Sequence, residues 1–253
     1  MSHPVEQVCA ISSEESLSHE LATTRLLKNY HTWIFQEIQP YLGKAITEIG
    51  GGLGTFSDIL IHNHIATQTD ATIEIFEPAG RLFSQLRQQC QTECGNLLQI
   101  GRVRLTNTEF PSQVDVYDSA VMINVLEHVA DDQGLVQKLY ASLRQGGALI
   151  VFSPALPFLY SALDKQVGHF RRYEKHVLAK LFTNTGFTIG KLQYMDIAGI
   201  VPWYFINVLG GSCSFNPSLV KAYDSIMVPI MKRVERCCGV PMGKNILIVG
   251  RKP

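Results

Sequence analysis

Hydrophobic and polar positions change their spacing repeatedly along the chain. Short apolar runs, typical of buried strands, alternate with longer segments in which apolar residues recur every three or four positions, as they do in helices. The predicted strands are 45–50, 71–76, 102–106, 116–123, 148–153, 187–194 and 245–251. The predicted helices are 14–41, 55–64, 79–90, 131–143 and 175–185. Strands that alternate with helices favour an α/β fold built on a parallel sheet with right-handed crossovers.

The alternation stops near the end of the chain, where the last two predicted strands are separated by a segment rich in aromatic residues, proline and glycine. We interpret this segment as a helical insertion or lid within a single domain. The predicted parts are an N-terminal helical cap (1–43), a core (44–195), the insertion (196–243) and a last strand (244–253).

Composition narrows the class of protein. Hydrophobic residues make up 46% and charged residues 17% of 253 residues, enough for a large core. The 22 basic and 22 acidic residues cancel, so the overall charge does not suggest a nucleic-acid partner. The longest apolar stretch, 197–211, contains Pro202 and is shorter than the roughly 20 residues that span a bilayer. With no secretory signal pattern at the N-terminus, we expect a cytoplasmic protein without a membrane span.

The most informative segment is the run from Glu48 to Gly54, Glu-Ile-Gly-Gly-Gly-Leu-Gly, which follows the first predicted strand. Its glycines allow a tight turn and a close approach of a ligand to the backbone. The helix predicted after it would present free N–H groups and a positive dipole end to a carboxylate or phosphate. The segment therefore predicts a ligand-binding loop.

Two acidic residues narrow the choice of ligand. Glu77 ends the second predicted strand, where a carboxylate can accept hydrogen bonds from both ribose hydroxyls. Glu48 lies where it could engage a cationic ammonium group, directly or through water. A nucleoside with an amino-acid tail would satisfy both acids. A dinucleotide fits less well, because Thr55 stands where the dinucleotide fingerprint needs its third glycine.

These residues resemble the first motif and the acidic second-strand end of class I S-adenosylmethionine-dependent methyltransferases, in particular their bacterial small-molecule branch. Three further segments are similar to family motifs in the same order: 117–129, 143–150 and 168–173. The resemblance implies a Rossmann-like seven-stranded sheet, mostly parallel with an antiparallel last strand and helices on both faces. It also implies S-adenosyl-L-methionine as the methyl donor.

The resemblance implies a set of donor-binding positions. The glycines would contact the methionine part, Glu77 the ribose, the residues after the third strand the adenine, and those after the fourth strand the sulfonium side. The implied residues are Glu48, Gly50, Gly51, Gly52, Gly54, Glu77, Pro78, Asn107, Thr108, Asn124 and Val125.

A metal site is not expected. One related pattern holds a divalent metal with a Glu-His pair and a second acid three residues earlier. Here Asn124 replaces that acid ahead of Glu127 and His128, and a carboxamide is a poor substitute for a magnesium-binding carboxylate. We interpret Glu127 as a helix-start acid and His128 as a packing residue. No Cys-x-x-Cys pair indicates structural zinc.

Candidates for acceptor binding and catalysis follow the fifth predicted strand and flank the core. His169 is a candidate general base and Tyr173 a second catalytic candidate. The candidates for acceptor binding are Tyr30, Trp33, Arg171, Arg172, Trp203 and Tyr204. The arginines would hold an acidic acceptor, and the apolar segment 200–207 would line an acceptor pocket or form a homodimer contact. Core packing and structural ion pairs are the alternative roles for these residues.

The sequence thus predicts transfer of a methyl group, by in-line displacement, to an oxygen or nitrogen of a small acceptor that is partly hydrophobic or acidic. Two alternatives remain at this point. One is a nicotinamide-dependent oxidoreductase on a similar sheet, and the other is a non-catalytic binding protein with the same fold.

Overall fold

The computed structural model describes residues 13–253 and contains one seven-stranded sheet. The strands run in the order β3-β2-β1-β4-β5-β7-β6, and β7 is antiparallel to both of its neighbours. Their bounds are β1 Ala45–Ile49, β2 Thr72–Phe76, β3 Val103–Thr106, β4 Tyr117–Ile123, β5 Leu143–Pro154, β6 Thr188–Met195 and β7 Asn245–Arg251. The predicted fold class is confirmed, including the antiparallel last strand.

Helices cover both faces of this sheet, and two separate hydrophobic clusters lie between helices and strands. The helices are α1 Ser13–Thr24, α2 Lys28–Ile38, α3 Thr55–Leu60, α4 Gly80–Gln99, α5 Asp132–Ser142, α6 Ala162–Gln166, α7 Lys175–Thr185, α8 Ile200–Trp203, α9 Pro217–Ala222 and α10 Val228–Cys238. Segments Ile61–Ile65, Tyr204–Leu209 and Tyr223–Met227 continue α3, α8 and α9 with wider π-helical turns.

The prediction of one long helix over 14–41 is wrong. The chain breaks between α1 and α2, where Leu27 has φ −81° and ψ 59°, outside the helical range. The helix α2 buries one face, including Ile34 and Ile38, in the core. The helix α1 instead brings Leu21 over the loop at Gly52. A single straight helix could not serve both surfaces, so tertiary packing overrides the continuous apolar period.

Two other boundaries differ from the prediction. The helix α4 continues to Gln99, with a kink at Cys94 where φ is −140°. The strand β5 starts at Leu143 rather than at residue 148, because Leu143 already pairs with Tyr117. Gly146, which has φ +78°, lies inside this strand.

The segment between β6 and β7 forms α8, α9 and α10 with their π-helical turns. The division of the chain into cap, core and insertion stays a prediction, and the part of the cap before Ser13 lies outside the described residues. Within residues 13–253, no helix combines the length and the apolar character that a bilayer crossing requires.

The strand order determines where on the sheet the candidate site lies. Both β2 and β4 pair with β1, so the chain leaves β1 in one direction and later returns on its other side. Ligands of open α/β sheets bind in the crevice at such a switch point, outside the carboxyl ends of the strands. The glycine loop follows β1, and Asn124 follows β4 at this same edge.

Candidate active site

The glycine loop after β1 is held in place by its neighbours. Gly50, Gly52 and Gly54 have φ values of +74°, +54° and +80°, which residues with a side chain rarely adopt. The Gly50 amide donates to the carbonyl oxygen of Phe76 at 2.8 Å. A Cβ atom built on Gly50 would lie 2.5 Å from Cγ2 of Val125. The loop is thus fixed between the end of β2 and the segment that follows β4.

Glu77 holds the loop from the end of β2. Its carboxylate accepts hydrogen bonds from the backbone amides of Gly52 at 2.8 Å and Ala79 at 2.9 Å. A carboxylate offers about four acceptor positions, so about two remain for a ligand. Burial raises the pKa of Glu77, although the two amide bonds oppose that effect. The residue is therefore placed, and has spare acceptor capacity, to bind a pair of hydroxyls.

Glu48 lies in β1, beneath the loop. It is 2% exposed, and its Oε2 atom has no hydrogen-bond partner among the described residues. Burial raises the pKa of Glu48 to about 8, with a further contribution from the charge of Glu77. A buried carboxyl oxygen without a partner is costly and favours a cationic or hydrogen-bonding ligand nearby. Together with Glu77, this arrangement fits a nucleoside that carries an ammonium group.

The other implied donor positions collect at the same edge of the sheet. Asn107 donates through Nδ2 to the backbone oxygens of Glu77 at 2.8 Å and Pro78 at 3.2 Å. Thr108 is exposed beside it. Asn124 has φ +53°, and its amide donates to the Phe152 carbonyl at 2.8 Å. The structure thus brings these positions together, and their individual roles remain predictions.

A cavity of about 920 Å³ opens beside the donor edge. Its walls come from α1, α2, the segments after β4 and β5, and the insertion between β6 and β7. Apolar side chains such as Phe152, Trp203 and Phe215 form much of the lining. Asn124 lines the cavity as well, so the cavity meets the donor edge at the end of β4.

The first polar group in this cavity is the histidine cluster, which we define as Glu127, His128 and His169 with their partners Asp164 and Arg172. The rings of His128 and His169 meet edge to face, with centroids 4.5 Å apart. His169 Nδ1 lies 2.7 Å from Asp164 Oδ1, and its Nε2 lies 4.0 Å from Glu127 Oε1. Arg172 binds Asp164 through Nε at 3.0 Å and Nη2 at 3.1 Å.

Burial and charge shift the pKa values in this cluster in different directions. Burial lowers the pKa of His128 to about 3, and the nearby His169 adds to that effect. Burial also disfavours charged His169, but its hydrogen bond to Asp164 and the charge of Glu127 outweigh this and raise its pKa. Burial raises the pKa of Glu127, and raises that of Glu20, which lines the cavity from α1, to about 7. The two histidines therefore favour different charge states.

The second polar group is the lysine cluster, defined as Tyr30, Asp196, Tyr223, Lys244 and Asn245. Lys244 Nζ lies 3.3 Å from Asp196 Oδ2, and the Tyr223 hydroxyl donates to the same carboxylate. Asn245 donates to the Tyr30 hydroxyl at 2.6 Å. All five residues line the cavity. The cluster can present both hydrogen-bond donors and acceptors to a polar group on an acceptor.

Trp203 lies between the two clusters. The guanidinium carbon of Arg172 is 4.5 Å from the centroid of the Trp203 ring, and Lys244 Nζ is 5.5 Å from it. The indole N–H donates to the Leu159 carbonyl at 2.9 Å, which fixes the ring. Of the predicted acceptor-binding residues, Tyr30, Trp203 and Arg172 line the cavity, and so does the candidate base His169.

Three predicted acceptor-binding residues lie elsewhere. Trp33 is 2% exposed in the core beneath Tyr30, because α2 turns that face toward the sheet. Tyr204 packs at the edge of the other core cluster. Arg171 forms an ion pair with Asp132 at 2.7 Å on the outer side of the segment.

Tyr173 also differs from its predicted catalytic role. It is buried, and its hydroxyl donates to Asp132 at 2.8 Å. Its backbone amide donates to the Pro154 carbonyl at 2.9 Å, so the residue packs beside the end of β5. We assign Tyr173 a structural role. Arg172 likewise cannot bind an acceptor with its fork, because Asp164 already occupies it.

Sequence reasoning missed several residues of the cavity. Asp164 and Asp196 belong to short segments without periodic signals, and Lys244 precedes the last strand. Among the residues of the cavity that were not predicted, only Glu127 and His128 carry a sequence signal, because a Glu-His pair after a strand is a known metal-binding pattern. Glu20 could not be assigned to the site, because the long predicted helix hid the break that turns α1 toward it.

Comparisons with known proteins agree with this geometry. The sequence profile described as "Methyltransferase domain" matches residues 18–192. An uncharacterized 37.1 kDa protein in transposon Tn4556 of Streptomyces fradiae is 25% identical over 182 residues, which are 69% of this chain and 48% of that protein. The chain therefore spans about half the length of this relative.

Solved structures show the same fold. Phosphoethanolamine N-methyltransferase 2 of Haemonchus contortus, in complex with S-adenosyl-L-methionine, has a TM-score of 0.61 at 12% identity, covering 96% of this chain and 57% of that one. Geranyl diphosphate C-methyltransferase of Streptomyces coelicolor, in complex with Mg²⁺, geranyl-S-thiolodiphosphate and S-adenosyl-L-homocysteine, has a TM-score of 0.58 at 10% identity, covering 86% of this chain and 74% of that one. At such identities the likeness concerns the fold.

The sheet order and the loop at its switch point define a Rossmann-like α/β protein with a nucleoside-type site. Because the profile match covers well over half of the chain, the chain belongs to the methyltransferase-domain family.

Proposed function

We propose that this protein transfers a methyl group from S-adenosylmethionine to an oxygen or nitrogen of a small acceptor bound in the cavity. The observation that carries the proposal is the position of the glycine loop and Glu77 next to a cavity with two polar clusters. The family membership supports the same activity.

The donor would lie across the end of β1. Glu77 would accept hydrogen bonds from the ribose hydroxyls, and Asn107 would hold the segment beside it. Glu48 would offer its unpartnered oxygen to the ammonium group, directly or through water. The methionine part would lie against the glycine loop, whose turn depends on Gly50 because a side chain there would collide with Val125. Asn124 would then lie beside the sulfonium, where the donor meets the cavity.

The bound donor supplies a methyl group that its sulfonium already activates. The chain must therefore mainly hold the acceptor in line with that group, which can contribute on the order of 7–11 kcal/mol in favourable cases. When the acceptor carries a proton that must leave, His169 is the best-placed base. Asp164 holds its Nδ1, so its Nε2 is directed toward Glu127 and the cavity.

The cavity lining favours an acceptor with a hydrophobic part and a polar group. Phe152, Trp203 and Phe215 would pack against the hydrophobic part. The lysine cluster would bind the polar group, with Lys244 replacing the arginines that were expected to do so. An acidic group suits Lys244, whereas Asp196 and the Tyr223 hydroxyl suit a donor-bearing group such as an amine.

The insertion also supports the expected homodimer. Its surface exposes Val201, Phe205 and Leu209, each at least 60% accessible. Apolar side chains exposed together often mark an interface. Light scattering coupled to size-exclusion chromatography would test this: twice the mass of one chain supports the dimer, and a single-chain mass at high concentration excludes it.

Calorimetric titration tests the donor assignment. S-adenosylhomocysteine should bind one to one, whereas NAD⁺ should give no saturable heat. Glu77→Ala should weaken S-adenosylhomocysteine binding at least tenfold, about 1.4 kcal/mol. Glu93→Ala, which removes an exposed acid from α4, is the matched control and should bind as the unmodified protein does. Equal affinity of both variants would contradict the ribose role of Glu77.

A screen of acceptors with isotopically labelled donor tests the reaction itself. Amines, carboxylic acids and phenols that carry a hydrophobic part are the first compounds to examine. Transfer of label, and its loss in a Glu77→Ala variant, would establish the activity. Donor binding without transfer to any of these classes would favour a binding protein with the same fold.

A further inference from the structure

Three side chains that can bind a metal meet at the inner end of the cavity. Glu127 and His128 lie on a short helical turn after β4, and His169 lies on the loop after α6. One ligand atom from each of them lies within 4.8 Å of the others. Glu127 is 0% and His169 is 8% exposed, whereas His128 is half-buried.

Two of these residues are also held by a second partner. His169 Nδ1 donates to Asp164 Oδ1 at 2.7 Å, and Ser153 donates to Glu127 Oε2 at 2.6 Å. Metal-binding histidines almost always donate their other ring N–H to a carboxylate or a backbone carbonyl, which orients the free nitrogen. His169 meets this condition, and His128 lies with its Nδ1 atom beside Gly168.

The remaining atom of Glu127 points to an absent partner. Glu127 Oε1 is buried and accepts no hydrogen bond from any described residue. The nearest basic atom is His169 Nε2, at 4.0 Å. The guanidinium of Arg172 is paired with Asp164 at 2.9 Å, so its charge lowers the pKa of Glu127 without forming a hydrogen bond to it. A buried carboxylate in this setting is costly unless a cation or hydrogen-bond donor reaches it.

We propose that Glu127, His128 and His169 bind one divalent first-row transition-metal ion, such as zinc. Two imidazoles and one carboxylate match the ligand types of zinc and non-haem iron sites, whereas magnesium and calcium prefer oxygen ligands alone. Binding would require a small inward rotation of the three side chains, to bonds of about 2.0–2.2 Å. The expectation of no metal rested on Asn124, and His169 from a distant segment supplies the third ligand instead.

The site opens toward the acceptor. All three ligands line the cavity, so coordination positions not taken by protein face the space in which an acceptor would bind. An oxygen or nitrogen of the acceptor can occupy such a position. While the ion is bound, His169 Nε2 is a ligand and is not available as a base, so the metal-loaded and metal-free proteins would handle an acceptor proton differently.

The test uses the full chain treated with a chelator and then titrated with Zn²⁺ by calorimetry, and with Co²⁺ by absorption spectroscopy. Exposed Cys237 and Cys238 could bind either ion, so both are first replaced by serine. We expect one ion per chain, visible cobalt bands without thiolate charge transfer, and no saturable heat with Mg²⁺. His169→Ala should weaken Zn²⁺ binding at least tenfold, and the exposed His176→Ala should not.

Each result of these titrations either supports or overturns the metal site. If His169→Ala fails to fold, His128→Ala and Glu127→Gln, checked by circular dichroism, provide the same comparison. Unchanged Zn²⁺ affinity in the folded ligand variants, or no one-to-one binding to the parent protein, overturns the proposal. Glu77→Ala should retain Zn²⁺ binding while it loses S-adenosylhomocysteine binding, so failure of the donor site and failure of the metal site can be distinguished.

Discussion

The donor edge and the cavity beside it are built in different ways. The donor edge consists of a short continuous run, Glu48 to Gly54, whose shape follows from backbone angles, and one acid at the next strand end. The histidine and lysine clusters combine side chains from segments far apart in the chain. The comparison teaches that one part of the site depends on local conformation and the other on tertiary packing of charged groups. Substitutions in the two regions should therefore destabilise the protein for different physical reasons.

The largest loss of stability is expected from a substitution in the histidine cluster. Asp164→Asn would leave the buried Arg172 guanidinium without its counter-charge and should destabilise the fold by about 3–5 kcal/mol. Asp70→Asn is the control, since Asp70 and its partner Lys44 are both more than half exposed. Urea unfolding should show a large loss for the first variant and little change for the second. Similar, small losses in both would contradict a packed charge network.

The glycine loop should show an effect of intermediate size with a different origin. Gly50 and Gly146 have similar φ values, +74° and +78°. A Cβ on Gly50 would lie 2.5 Å from Val125, whereas one on Gly146 would have no neighbour within 4 Å among residues 13–253. Gly146→Ala should cost about 1–2 kcal/mol through backbone strain alone. Gly50→Ala should cost about 1–3 kcal/mol more, from the collision.

Denaturant unfolding of both glycine variants measures this difference. Equal losses of unfolding free energy would mean that the segment after β4 moves away from a new Cβ at no energetic cost. The donor edge would then be less rigid than the structure indicates. Addition of S-adenosylhomocysteine should stabilise Gly146→Ala as much as the parent protein, and Gly50→Ala less.

A pH dependence at Glu48 tests the donor edge in a different way. Burial raises its pKa from 4.5 in the unfolded chain to about 8 in the folded protein. The folded state therefore holds a proton that the unfolded state releases, and this contribution to stability is lost as pH rises from about 4.5 to 8. Glu48→Gln should weaken the decline in melting temperature over this range, and Glu93→Gln should not. An unchanged pH profile in Glu48→Gln would contradict the raised pKa.

Much of the fold could be predicted from the sequence, because strands and helices carry their own periodic signals. The predicted α/β sheet and its antiparallel last strand are confirmed, and a glycine turn follows the first strand, while its ligand-binding role stays a prediction. The helix over 14–41 was wrong, because its apolar period continues through a break that packing imposes at Leu27. Periodicity reports which face is apolar, and does not report which surface that face will cover.

The cavity was only partly predictable for the same physical reason. His169 was identified from its neighbours in sequence, yet its partners Glu127 and Asp164 come from other segments and leave no local pattern. Tyr173 and Trp33 were aromatic residues close to the expected site, but their side chains pack into the core. Residue type indicates which chemistry is available, and only the fold decides which side chains meet.

The most direct test of the account is a crystal structure of the protein with S-adenosylhomocysteine. We predict that both ribose hydroxyls lie within hydrogen-bond distance of the Glu77 carboxylate, and that the sulfur faces the cavity past Asn124. Density for the ligand away from Glu77 and the glycine loop, or no density at the loop at saturating ligand, would contradict the donor site described here.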